Sequence, residues 1–137
     1  MAQYFLDSSA PVKYYHTEPG TEFVSAIFAE PDRKIRISRL GLVEIQSALA
    51  MKVRSGALAQ AAAELQRERL LLDVARNVVE VFKVTERHFS VAERLIAHHS
   101  FSSRLRTLDA VQLAVALGLA DQRLADRFVV ADRALAK

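Results

Sequence analysis

Gln3-Tyr4-Phe5-Leu6-Asp7-Ser8-Ser9-Ala10 is the stretch whose reading decides the fold. Three bulky apolar residues run together and stop at an aspartate, two serines and a small residue. An uninterrupted apolar run with aromatics suits a strand covered on both faces, as in the middle of a parallel sheet. Asp7 then stands at the strand's carboxyl end, where open α/β sheets gather their ligand sites. Capping of the following helix by Asp7 or a serine is the plainer explanation of the same residues.

Working outward, residues 11–16 predict a short helix, with Pro11 in its permissive first turn. Residues 21–30 carry Phe23, Val24, Ile27 and Phe28 at helical spacing, and Pro31 ends them. Residues 35–38 alternate apolar and polar and predict a second strand. A helix is expected over 42–55, stopped by Gly56, and another over 58–73. The β-branched run 78–84 predicts a third strand. Thr85 can cap a helix over 86–97, and 98–106 is polar and basic enough to be a loop. Residues 107–119 are apolar almost all round, which suits a buried helix. Residues 121–126 fit either a helical turn or a loop. Phe128-Val129-Val130-Ala131 then repeats the opening pattern, a strand ending at Asp132, with the start of a helix possible after Arg133. Strands alternating with helices predict an α/β domain whose mostly parallel sheet has four or five strands flanked by helices.

The 137 residues predict one domain, 1–137, and 51% hydrophobic content is enough for a core without staples. There is no cysteine, so disulfides, thiolate metal sites and a cysteine nucleophile are excluded. That composition and the absence of a leader-like segment before the first strand point to the cytoplasm. No apolar run approaches the roughly 18 residues of a membrane span. The formal net charge of +3 is too small to argue for nucleic acid by itself. If four carboxylates are gathered into one site, however, 12 acids face 19 bases over the remaining surface.

Four acids stand in unusual places. Asp7 and Asp132 each end an apolar strand; if the last strand lies beside the first, they meet at one edge of the sheet. Glu44 has Leu40, Gly41, Ser47 and Ala48 as helical neighbours, with no basic residue to pair with it. Acids are seldom buried unless paired or bound to metal, although a half-exposed glutamate near a helix start is the plainer reading. Asp109 would sit in the first turn of its helix, where the dipole favours an acid, behind the basic Arg104-Leu105-Arg106. Clustered carboxylates repel unless protons or a cation compensate. A set of hard oxygen ligands without cysteine favours Mg²⁺ or Mn²⁺ over zinc. Such an ion can activate water and neutralise charge on a phosphodiester.

With these residues in hand, the chain resembles the PIN-domain ribonucleases, and among them the VapC-type toxins of type II toxin–antitoxin pairs. The resemblance rests on Phe5-Leu6-Asp7-Ser8-Ser9-Ala10, Leu42-Val43-Glu44-Ile45-Gln46-Ser47-Ala48-Leu49, Leu105-Arg106-Thr107-Leu108-Asp109-Ala110-Val111-Gln112-Leu113-Ala114 and Phe128-Val129-Val130-Ala131-Asp132-Arg133-Ala134-Leu135. They occur in family order and span nearly the whole chain. The resemblance implies a PIN-like fold and Mg²⁺- or Mn²⁺-dependent hydrolysis of RNA. It implies Asp7, Glu44, Asp109 and Asp132 as the catalytic acids, Asp7 and Asp109 as metal ligands, and Ser9 as a supporting hydroxyl. It further implies an RNA substrate, a cognate antitoxin protein and a homodimer. Asp132 is the least secure of the transferred acids, with Asp126 and Asp121 as nearby substitutes.

Arg39, Arg104, Arg106 and Arg133 flank the acidic motifs and could bind phosphate or simply face solvent. His98 and His99 read as polar loop residues, and Tyr14 and Tyr15 as packing residues. A PIN-like RNA- or protein-binding module that has lost catalysis is the alternative. A signalling receiver domain, also α/β with an acidic Mg²⁺ pocket, is excluded. It would need an aspartate ending the third strand and a lysine after the last, and neither is present.

Overall fold

The computed structural model describes residues 2–99, 101 and 105–130. The chain begins with β1 (Gln3–Leu6), α1 (Pro11–Tyr15), α2 (Thr21–Ala29) and β2 (Lys34–Ser38). It continues through α3 (Arg39–Arg54), α4 (Gln60–Ala75), β3 (Glu80–Phe82), α5 (Glu86–His99), α6 (Thr107–Asp121) and β4 (Arg127–Val129). Among the described residues the sheet has four strands in the order β3-β2-β1-β4, and every pairing is parallel.

β1 is central and fully covered, as its unbroken apolar run demands. Tyr4 and Leu6 enter a core with Ile35, Ile37, Tyr15, Phe28, Ile45 and Leu70. Phe5 points the other way, toward Val115, Ala116 and Leu119 of α6. The period-two alternation of a strand thus feeds two helical layers at once. Arg36, opposite Phe5 in the register, is nearly buried. Its guanidinium donates to the carbonyl of Leu124, pairs with Glu80 at 3.5 Å and lies over the Phe82 ring at 5.8 Å. A buried cation needs such partners, and these tie β2 to β3 and to the turn after α6.

α3 starts earlier than the expected residue 42. Ser38 ends β2 and also caps α3: its hydroxyl oxygen accepts the Gly41 N–H at 2.9 Å. Strand and helix therefore join with no loop between them. β3 is shorter than the run 78–84, because Val78 and Val79 are drawn back onto the end of α4 through their N–H groups to the Asp73 carbonyl. His98 and His99 are not in a loop as the composition suggested. They form the last turn of α5, where partial negative charge at the helix end suits imidazole. Arg106 occupies the cap position of α6 and makes no side-chain capping bond. Residues 121–126 close α6 and turn into β4. Helix formation after Arg133 falls outside the described residues. No helix among the described residues is long and apolar enough to cross a membrane.

Candidate functional site

Asp7 leaves the carboxyl end of β1 with 5% exposure. Its N–H donates to the Val129 carbonyl at 3.1 Å, so the edge strand β4 fixes the backbone at this point. One carboxylate oxygen, Oδ1, accepts the Ser9 N–H at 3.1 Å and the Ser9 hydroxyl at 2.5 Å. This is an aspartate-led turn, in which the side chain bonds backbone two residues on. The hydroxyl singled out from the sequence thus touches the carboxylate it was expected to support.

Burial pushes the Asp7 carboxyl up. The two Ser9 hydrogen bonds oppose that shift, and the charges of Asp109 and Glu44 add to it, leaving it at about 6 against an ordinary 3.8. Two of the other predicted acids, Asp109 and Glu44, therefore lie within reach of the Asp7 charge. The three arrive by different routes: Asp7 from the strand end, Glu44 from α3, and Asp109 from the first turn of α6. Asp109 is half-buried, and the helix dipole favours an acid there. The expected place of Asp109 in the first turn of its helix is thus the observed one. Among the described residues no three acidic or histidine side chains form a ready-made group around a single point.

Glu44 has the partner its sequence neighbours do not supply. Gln112 Nε2 donates to Glu44 Oε1 at 3.0 Å. Gln112 is 2% exposed and Ser38 is 0% exposed, and the Ser38 hydroxyl donates to Gln112 Oε1 at 2.7 Å. Sequence reasoning missed both residues. The available signal was a glutamine three positions after Asp109 in an otherwise apolar helix, on the same helical face as the acid.

Asp132, Arg104 and Arg133 lie outside the described residues. The strand that leads toward Asp132 does pair with β1. Neither substitute for the fourth acid is suitably located. Asp126 exchanges hydrogen bonds with the backbone of Gln3, at the opposite end of β1 from Asp7. Asp121 closes α6, about 18 Å along the helix from Asp109 at 1.5 Å per residue. Arg39 and Arg106 are exposed at the starts of α3 and α6. An apolar groove of about 450 Å³ runs between these helices and the end of β3, with Arg39 and Lys83 among its lining residues.

The family model described as PIN domain matches residues 4–136. No curated protein matches the sequence. Among solved structures, the chain is similar to VapC20 of Mycobacterium tuberculosis, described as a Sarcin-Ricin loop cleaving toxin. Identity is 17%, with 97% of this chain and 92% of that chain covered and a TM-score of 0.71. It is also similar to a chain of VapBC2 from Rickettsia felis, solved bound to a DNA fragment from their promoter. Here identity is 13%, coverage is 94% of this chain and 98% of that chain, and the TM-score is 0.62.

Proposed function

The chain belongs to the PIN domain family, and from that premise we propose that it is a divalent-metal-dependent endoribonuclease, the toxin of a toxin–antitoxin pair. The observation that carries this reading is Asp7. A nearly buried carboxyl is pushed up to about 6 by its burial and by two further acids from distant parts of the chain. Such an arrangement costs stability and is characteristic of functional sites. The structural likeness to a toxin described as cleaving the Sarcin-Ricin loop supports an RNA substrate.

The donor set fits a hard cation: the groups near Asp7 are carboxylates, and the negative charge that burial, and to a lesser degree the two neighbouring acids, disfavours on Asp7 is what a divalent ion offsets. Asp7 and Asp109 would hold Mg²⁺ or Mn²⁺, with Glu44 alongside. When bound, the ion would lower the pKa of water and offset charge developing on the phosphodiester. The chain's own groups have separate tasks in this reading. Ser9 fixes one oxygen of Asp7. Glu44 stands beside them, held by Gln112. Arg39 and Arg106 supply positive charge for the RNA backbone. By the family resemblance, Asp132 is the fourth acid.

The deciding experiment incubates the purified chain with mixed RNA in Mg²⁺ or Mn²⁺ and again in EDTA. Endonucleolytic fragments that appear with metal and vanish with chelator are expected. Binding of RNA without cleavage in either metal would favour the inactive-module alternative. In cells, the chain expressed by itself should arrest growth, and co-expression of its antitoxin should relieve the arrest. The groove beside Arg39 and Lys83 can accept an apolar antitoxin segment, with a basic residue reaching toward the acids.

A homodimer belongs to the same reading. Phe23, Met51, Leu65 and Leu72 on α2, α3 and α4 are large exposed apolar residues, and a second copy would cover such a surface. Light scattering at micromolar concentration should return twice the 15.3 kDa chain mass; a clean monomer would contradict it.

A further inference from the structure

Gln112 is buried in a helix whose neighbouring positions Ala110, Val111, Ala114 and Val115 are all apolar and buried. A leucine or methionine would fill the same slot without bringing an amide out of water, which is costly unless the amide is fully hydrogen-bonded. Ser38, wholly buried, is a second polar group in the same place. Gly41 is a third oddity: glycine in a helix weakens it relative to alanine, and nothing in the backbone of α3 calls for a glycine there. A Cβ at Gly41 would lie 3.0 Å from Gln112 Nε2 and 3.4 Å from Ser38 Oγ. With any larger residue at 41, the Gln112 amide would have to give by a few tenths of an ångström. Two buried polar side chains and a helical glycine thus converge on one interaction, and that interaction ends on Glu44.

We propose that Gln112 is a positioning residue, the centre of a relay Gly41 N–H to Ser38 Oγ–H to Gln112 Oε1, Gln112 Nε2–H to Glu44 Oε1, that fixes the Glu44 carboxylate relative to Asp7 and Asp109. The direction of the relay follows from donor and acceptor capacity. A carboxylate oxygen accepts, and the Gln112 NH₂ is the group turned toward it. The Gln112 carbonyl oxygen then faces Ser38 and takes its single hydroxyl proton, while a Ser38 lone pair takes the Gly41 N–H. Reversing the amide would set its oxygen against the carboxylate. Ser38 is the last residue of β2 and Gln112 lies one turn from Asp109 on α6. The relay therefore references Glu44 both to the sheet and to the helix carrying the second acid. Its catalytic consequence rests on the ribonuclease reading above; the relay itself does not.

The test separates those two layers. In the metal-free full-length protein, the Gln112 side-chain NH₂ pair, assigned through bonds in a ¹⁵N spectrum, should exchange slowly with solvent and should shift in Glu44→Ala. An exposed-like exchange rate, or a pair indifferent to Glu44→Ala, overturns the relay whether or not the chain cleaves RNA. For the catalytic layer, Gln112→Met keeps length and volume and removes both hydrogen bonds, while Gly41→Ala keeps every polar group and presses a methyl onto Gln112. With Mg²⁺ and a short fluorescent RNA that the wild type cuts, both should lower kcat, Gln112→Met by tenfold or more, with KM within twofold of wild type. If Gln112→Met fails to fold, Gly41→Ala decides. Wild-type kcat in the folded variants, or a loss confined to KM, overturns the positioning role. A wild type that cuts no RNA with any metal sinks the ribonuclease reading instead and leaves the amide measurements to judge the relay.

Discussion

Asp7→Asn should cripple cleavage and at the same time make the metal-free protein more stable. The Asp7 carboxyl titrates at about 6 in the fold against an ordinary 3.8. The folded chain therefore holds this proton more tightly than the unfolded chain. The favourable contribution is fully present below the ordinary value and is lost as pH rises through about 6. At pH 7.5 the ionised side chain costs the metal-free fold on the order of 3 kcal/mol, at 1.36 kcal/mol per pKa unit. Asparagine keeps an oxygen for the two Ser9 hydrogen bonds and removes the charge. In EDTA at pH 7.5 its melting temperature should exceed that of the wild type by up to ~10 °C for a domain of this size, and the gain should disappear near pH 4. Millimolar Mg²⁺ should stabilise the wild type by mass action and narrow the gap. Cleavage should fall by about a hundredfold or more, the usual scale for losing one group that stabilises transition-state charge. A folded Asp7→Asn that cleaves like wild type removes Asp7 from the mechanism. One that melts no higher in EDTA removes the electrostatic account of the site.

Glu44→Gln and Asp109→Asn should each cost on the order of a hundredfold in single-turnover rate. Glu44→Gln is informative because glutamine can still accept the Gln112 N–H through its side-chain oxygen. It removes the charge and keeps the geometry, whereas Gln112→Met does the reverse. The double variant should lose far less than the product of the single losses, because groups that act together on one step are strongly non-additive. Either single variant cleaving within fivefold of wild type would eliminate that residue from the proposed site.

Much of this was legible in the chain because the relevant signals are local. Tyr4-Phe5-Leu6 needed no partner to announce a strand covered on both faces. The hydroxyl of Ser9 was expected beside Asp7 only from the family resemblance; the turn that brings them together is local. The two strands with the same pattern were legible, but their adjacency was only a condition until β4 was seen paired with β1. What escaped was set by residues distant in sequence. Glu44 looked unpaired because its partner lies 68 positions away and is neutral, so a search for a nearby base could not find it. Ser38 was read as the last residue of a strand, and its second task as a helix cap is visible only once its oxygen is seen on Gly41. His98 and His99 were assigned to a loop on polarity, a criterion that does not separate a loop from the exposed end of a helix. Asp126 and Asp121 were near Asp132 in sequence, but a strand has two ends and a helix has length, and both acids fall at the far end.

The loop-free junction at Ser38 also bears on how this chain can change length. One extra residue between Ser38 and Arg39 would turn all of α3 by about 100° about its axis and push it 1.5 Å along. Glu44 would swing away from Gln112, and the apolar side chains of α3 would swing away from the sheet. A residue added to the turn between α3 and α4 is less constrained, since Gly56 has open space around it and the side-chain hydrogen bond between the helices, from Arg67 to Gln46 at 2.8 Å, is an exposed one. Related chains that differ in length are therefore expected to place their insertions in the hairpin and to keep the spacing from Ser38 to Glu44 unchanged; an alignment of relatives showing frequent gaps between those two positions would contradict this reading of the junction.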